Sequence, residues 1–372
     1  MNNRELFYFA AKCLMLDEHP EFADVILAKI NDDSIDWSKF VHLCSNHLIL
    51  PALYLKFREA DLISQLPSDL AEFLKEIYDL NAARNKQILN QINEVTAILN
   101  RNNISPLYLK GAAHLLESLY SDPGERILGD IDFLVPEKDY LPTAQLLEKE
   151  GYIKYEGHLS YFDPDMEKHY PRLSKTGFPA NIEIHRLLTE APLRWFNAQT
   201  IDLHKKQSKE QLGCFVPSGQ DLIIHNFVHS QISHGGHTYL TISLRDIYDL
   251  HLLSKETSII GILQNIGQKK KAIAYFSFAE SVFGLYKSNF SKGKFSTWFL
   301  KAKHDLNQTS NTFYYINRII AFLRYKIVER YYVQGLGFIR TKKMRKAVFK
   351  RLMDPLWHKE RLKELKDLLS VK

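Results

Sequence analysis

The segment Gly129-Asp-Ile-Asp-Phe-Leu-Val135 decides how the rest of the chain is read. In a strand, alternate side chains share a face, so Asp130 and Asp132 point one way while Ile131 and Phe133 point into a core. Pro136 ends the run. Two carboxylates held about 7 Å apart along a strand repel each other unless a cation sits between them. Hard oxygen ligands in that arrangement suit Mg²⁺. An isolated Asp-x-Asp also fits a simpler reading, with one aspartate capping a turn and the other solvated.

The flanking segments favour the metal reading. Upstream, the apolar run Pro106–Lys110 breaks at Gly111, where a strand end turns into a helix over Ala112–Tyr120. A glycine at a helix start lets backbone N–H groups approach a phosphate, and Lys110 adds a point charge. The turn-rich loop Ser121-Asp-Pro-Gly-Glu-Arg-Ile-Leu-Gly129 leads into the aspartate strand. Downstream, a helix is expected over Glu137–Glu150, stopped by Gly151, with less regular strands at 152–162 and 169–173. In Asn181-Ile-Glu-Ile-His-Arg186, Ile182 and Ile184 face the core while Glu183 and His185 share the other face. If that strand lies beside the aspartate strand, Glu183 becomes a third acid of the cluster.

Outside this block the pattern is helical. Apolar residues recur at helical spacing through Leu6, Phe9, Ala10 and Cys13, and one long helix is expected from a Ser68 cap to Asn102–Asn103. Helices return at Gln220–Ser233, Leu240–Leu253 and Asn311–Gln334. The expected organisation is a helical region over 1–103, a small core over 104–190, and a helical region with a basic tail over 191–372. The fold class is α+β, a small mixed β-sheet with helical material on both sides.

Taken in order, Lys110-Gly111, Arg126, Asp130-x-Asp132 and Glu183-x-His185 resemble the bacterial uncharacterised nucleotidyltransferases of the polymerase-beta nucleotidyltransferase superfamily. The resemblance covers residues 105–188, with a weaker echo at Leu244-Arg245-Asp246. It implies a palm-like sheet, two Mg²⁺ ions, and transfer of a nucleoside monophosphate from an NTP to an acceptor with release of pyrophosphate. Asp130, Asp132 and Glu183 would hold metal, with Glu183 also orienting the attacking hydroxyl or accepting its proton. Lys110 and the amides near Gly111 would grip the β/γ phosphates, and Arg126 would face the leaving pyrophosphate. His185 would orient a neighbouring carboxylate or touch substrate. The chain departs from the family at Ala112, where many members carry a serine.

Composition bounds the remaining choices. The 372 residues are 25% charged and 45% hydrophobic, an ordinary globular balance. Cys13, Cys44 and Cys214 are far apart with no CxxC pair, which argues against a disulfide framework and fits a reducing cytoplasm. No apolar run approaches membrane-spanning length, and an early acid interrupts any secretory signal. Nucleophile-elbow, dinucleotide-binding and Walker patterns are missing, which weighs against hydrolase, dehydrogenase and P-loop readings. The net charge of +6 is concentrated in residues 340–372, where twelve basic side chains face four acidic ones. Such a tail is either a solvated helix face or a contact for nucleic acid, an anionic membrane or an acidic partner.

Other polar features have competing readings. His225 and His229 stand one helical turn apart, with His234 and His237 following in a glycine-containing loop. They lack a companion cysteine or HExxH, so a groove position fits better than zinc. Arg245 and Asp246 form either a local ion pair or one border of the nucleotide cleft. The aromatic, basic stretch Tyr314–Tyr332 reads as helix core rather than an RNA platform. A small-molecule or sugar-type hydroxyl is the first expectation for the acceptor. The alternatives are a macromolecular acceptor, such as a tRNA 3′ end or a protein hydroxyl, and a non-catalytic nucleotide-binding protein.

Overall fold

The computed structural model describes residues 1–154, 164, 167–189, 193–283 and 294–324, with scattered positions between 342 and 363. Its described helices are α1 (Asn3–Leu14), α2 (Phe22–Asn31), α3 (Trp37–Asn46), α4 (Leu50–Glu59), α5 (Ser68–Asn100), α6 (Lys110–Leu116), α7 (Tyr140–Lys149) and α8 (Ala198–Leu203). After these come α9 (Gly219–Phe227), α10 (Gly236–Tyr239), α11 (Leu244–Glu256), α12 (Ile259–Asn265), α13 (Lys269–Val282), α14 (Lys294–Thr309) and α15 (Asn311–Leu323). The strands are β1 (Leu107–Tyr108), β2 (Asp130–Leu134), β3 (Ile153–Lys154), β4 (Leu173–Ser174), β5 (Asn181–His185), β6 (Lys206–Gln207) and β7 (Phe215–Val216). They form one mixed seven-stranded sheet in the order β3-β4-β5-β2-β1-β7-β6. The α+β architecture with helices on either side is therefore the one expected.

The two longest strands lie side by side at the centre. β2 and β5 run parallel, with Asp130 opposite Asn181, Asp132 opposite Glu183 and Leu134 opposite His185. Ile131, Phe133, Ile182 and Ile184 are fully buried on the other face. That burial fixes the register, because a one-residue slip would put every acid in the core. β1 pairs antiparallel with β2, and β7 closes on β1 in parallel. β7 and the edge strand β6 come from residues 206–216, which the sequence does not mark as strands. Each is two residues long, too short to show a period.

The long helix α5 buttresses the sheet. It spans 33 residues, close to the expected limits, but Ser68 is its first helical residue rather than its cap. Pro67 occupies the cap position, and no side chain caps the helix. Its inner face carries Leu74, Ile88, Ile92 and Val95, all fully buried. The polar side chains on it are used for anchoring. Asn81 donates to the Gly124 carbonyl at 2.6 Å, Asn85 to the Arg126 carbonyl at 2.8 Å, and Gln91 to the Ala180 carbonyl at 2.9 Å. Arg84 donates to the Leu128 carbonyl. α5 thus fixes both the loop before β2 and the entry to β5.

Elsewhere the boundaries shift. The helix expected from Ala112 begins at Lys110 and ends at Leu116, and the one expected from Glu137 is a short 3₁₀ turn followed by α7. The expected strand at 152–162 is seen only as β3, and residues 155–163 lie outside the described residues. The expected helix from Asn311 is α15 as far as Leu323, and 325–334 lie outside the described residues, as does most of the basic tail. The thiols of Cys13, Cys44 and Cys214 are free and buried. Among the described residues no helix is long and apolar enough to cross a membrane.

Candidate active site

Lys110 lies where β1 turns into α6. Its φ of 51° puts a non-glycine residue in the left-handed region, a conformation that costs of order 1 kcal/mol and recurs at functional turns. The Leu109 N–H donates to the Asp132 carbonyl at 2.9 Å, so the turn is held against β2. The Lys110 ammonium lies 2.5 Å from Asp132 Oδ1. Gly111 follows because no side chain fits. A Cβ there would stand 2.3 Å from Arg126 Nη1 and 3.0 Å from Leu128 Cγ.

The β2–β5 register brings three donors together. Asp132, Glu183 and His185 are buried, and their ligand atoms all lie within 4.8 Å of one another. His185 Nε2 is 2.8 Å from Asp132 Oδ1 and 3.5 Å from Glu183 Oε2. Asp130 lies two residues before Asp132 on β2, half-buried at the cavity wall and outside that trio. Arg172, just before β4, bridges the acids: Nε to Glu183 Oε1 at 2.7 Å and Nη2 to Asp130 Oδ2 at 3.3 Å. Sequence reasoning missed Arg172. Its only signal is its place next to Leu173, which pairs with Ile182, and that register is not visible in the sequence.

The charges tune one another. Burial works to raise Asp132, but the Lys110 ammonium and the His185 hydrogen bond hold its carboxyl below the ordinary value. Glu183 is also pushed up by burial, yet the His185 hydrogen bond and the nearby His169 and Lys110 hold it well below the carboxylate range. Burial raises Asp130, and Arg172 only partly offsets this. The set fits a divalent cation, since like-charged carboxylates converge on one wall and the compensating positive charge comes from side chains that can be displaced. His185 adds an imidazole to the oxygen donors, which widens the choice of metal.

Arg126 forms a buried fork with Asp249 of α11, Nε to Oδ1 at 2.9 Å and Nη2 to Oδ2 at 2.8 Å. Tyr120 donates to the same carboxylate at 2.5 Å, and His114 Nδ1 is 3.5 Å away. Burial opposes the charge on Asp249, but Arg126 and His114 hold it well below its usual range. The sequence reading singled out Arg245 and Asp246 nearby, and these pair locally at 3.1 Å. Asp249, one turn further on, went unnoticed.

Apart from His185 and Tyr120, which lie behind the lining, the side chains of these groups share a cavity of about 310 Å³ with α9 and α11. Among the described residues, five cationic side chains (Lys110, Arg126, Lys168, Arg172, Arg245) and five acidic ones (Asp130, Asp132, Glu183, Asp246, Asp249) line it. Facing the acids are His225, His229 and His234, whereas His237 is not part of the lining. A π-helical turn at Val228–Ser233 extends α9, and it leaves the His229 and His234 rings 4.1 Å apart. Such turns are frequent at functional sites. Burial, then the nearby Lys110, holds His225, His229 and His234 below their usual value, so they are neutral at pH 7. His225 Nδ1 is buried without a hydrogen-bond partner. The metal-competent group among the described residues is the Asp132–Glu183–His185 trio and not these histidines.

Residues 33–284, well over half of the chain, match the family described as uncharacterised nucleotidyltransferase, and the protein belongs to that family. Family membership makes the chain a nucleotidyltransferase in class and implies an NTP substrate. No match to the chain was found among curated proteins.

Proposed function

We propose that the protein transfers a nucleoside monophosphate from an NTP to the hydroxyl of a small, uncharged acceptor, releasing pyrophosphate. The observation that carries this reading is the β2–β5 register, which sets Asp132 beside Glu183 with Asp130 on the same wall of one cavity. Asp130, Asp132 and Glu183, joined by His185, are the residues that would hold Mg²⁺. Bound there, the metal would neutralise triphosphate charge and polarise the phosphoryl group under attack.

The chain's own groups divide the remaining work. Lys110 and Arg172 sit on the carboxylates and are the cations freed for phosphate oxygens when those acids take another partner. Arg126 is held by Asp249 with Nη1 beside Gly111, where it meets the phosphate end of the nucleotide. Glu183, a weak base because it is held ionised, orients the acceptor hydroxyl by accepting its hydrogen bond. The neutral His225, His229 and His234 wall, offering donors and acceptors without charge, receives the acceptor. With acidic and cationic side chains equal in number on the described lining, a polyhydroxyl compound is favoured over an anionic one.

Incubation of the protein with Mg²⁺, each of the four α-labelled NTPs and fractionated cell extract tests this, with Asp132→Asn as control. Label passing to a small-molecule fraction only with the wild-type protein is the expected result. Label on RNA or protein instead would replace the acceptor class, and nucleotide binding without transfer would remove the enzymatic reading.

A further inference from the structure

The last two described helices seat Leu300 and Phe313 against the core but turn most of their large apolar side chains outward. On α14 the buried positions are Leu300, His304 and Asn307, whereas Phe295 is 76% exposed and Trp298 62%. On α15 Ile316 is 50% exposed and Ile320 58%, while Asn317 and Arg318 are half-buried on the inner side. The polar atoms turned inward are poorly served. His304 Nδ1 lies 3.6 Å from Asp305 Oδ1, and among the described residues neither its Nε2 nor Asn307 Oδ1 has a hydrogen-bond partner. Spacing of i, i+3/i+4 makes the outward residues continuous stripes: Phe295, Trp298 and Phe299 on α14, and Ile316, Ile319, Ile320 and Leu323 on α15. A soluble surface rarely shows such stripes unless something covers them.

The charge on the same helices is one-signed. Asp305 is the single acid within 294–323, and it is paired with Arg4 at 3.0 Å. Lys303 lies with its ammonium 4.1 Å from the centre of the Phe299 ring, so an apolar body and a cation share one spot. The described positions of the basic tail repeat this composition. Phe349, Leu352, Met353 and Leu356 are exposed at helical spacing, between exposed Lys342 and Lys346 on one side and Lys359 and Lys363 on the other.

We infer that α14 and α15, together with the exposed described positions between 342 and 363, dock on an anionic lipid surface. A second copy of the chain would set like charges against each other in a two-fold contact. Nucleic acid would answer the cations but has no use for the aliphatic stripe on α15, which offers no ring to stack on a base. An anionic bilayer answers both, taking up the aromatic and aliphatic side chains at the acyl boundary and pairing lysines with headgroups. The protein then lies on the membrane rather than spanning it.

Flotation with vesicles tests the inference directly. The full chain is mixed with vesicles of phosphatidylcholine alone, or with about 30% phosphatidylglycerol added, at low and high salt. The expected result is flotation only with the anionic vesicles, falling as salt rises. Trp298→Ser combined with Ile319→Ser, and separately Lys342→Gln with Lys346→Gln, should each lower vesicle affinity about tenfold or more. All four side chains are exposed or half-exposed, so neither pair should disturb the fold, and circular dichroism checks this. No flotation, or equal flotation with neutral vesicles, overturns the proposal. So does self-association of the wild-type chain that the Trp298 and Ile319 changes abolish, since a second copy would then be the cover.

Discussion

The Arg126–Asp249 fork yields a prediction that separates structure from chemistry. Both side chains are buried, joined by hydrogen bonds of 2.9 and 2.8 Å, and the carboxylate also accepts from Tyr120. Asp249→Ala leaves a guanidinium in the interior without its counter-charge, and breaking a buried pair in this way costs about 3–5 kcal/mol. That is a large part of a typical stability of about 5–15 kcal/mol. Arg126→Met with Asp249→Leu removes both charges and refills the space, so most of the loss should return, to within about 1–2 kcal/mol of wild type. Urea unfolding of Arg126→Met, Asp249→Leu and the double supplies the cycle. The restored double should still lose nucleotidyl transfer by about a hundredfold or more if Arg126 meets the phosphates. A single Asp249→Ala variant within about 1 kcal/mol of wild type would refute the stability argument, because an exposed pair is worth no more than that. A stable double variant with normal turnover would show that Arg126 only braces the fold.

Three further outcomes are expected. Gly111→Ala drives a Cβ onto Arg126 Nη1, and because Asp249 pins the guanidinium, nucleotide affinity should fall about tenfold or more; a nucleotide titration at wild-type affinity would contradict this. Arg172→Gln frees Glu183 and Asp130 of a competing cation, so Mn²⁺ should bind the nucleotide-free protein about three- to tenfold more tightly; unchanged or weaker binding would be the opposing result. His47, against Phe7 and His304 and accepting the Leu244 N–H, is pushed down by burial to about 4. The folded protein therefore resists protonating it. Stability should be complete above pH 6.5 and fall by roughly 1–3 kcal/mol as pH drops toward 4, with a smaller fall in His47→Gln. Equal pH slopes in the two proteins would count against it.

How much of this was legible depended on the range of the signal. Asp130, Asp132, Glu183 and His185 were visible because strand alternation is local, two residues at a time, and burial of Ile131 and Ile182 needs no partner to be guessed. Helix α5 was visible because 33 residues of one period cannot be mistaken. Arg172 and Asp249 were not, since each matters only through a residue on another element, Glu183 in one case and Arg126 in the other. The amides of α5 were missed for a related reason. Asn81 and Asn85 look like ordinary helix-surface residues until the loop carbonyls they hold are known. β6 and β7 are made by their neighbours rather than by their own composition, and two residues carry no period. The outward stripes of α14 and α15 were also hidden, because an apolar stripe in a sequence is read by default as facing inward.

The β2–β5 pairing has a consequence for engineering. The acids ride on a stiff ladder braced by α5, whereas the histidine wall is contributed by a contiguous stretch from α9 through α11. On the proposed reading, chemistry and recognition are thus encoded in separable stretches of gene. A graft that exchanges 219–256 for the same stretch of a family relative, with Asp249 retained to hold Arg126, should hand the catalyst a new acceptor while leaving its metal affinity where it was.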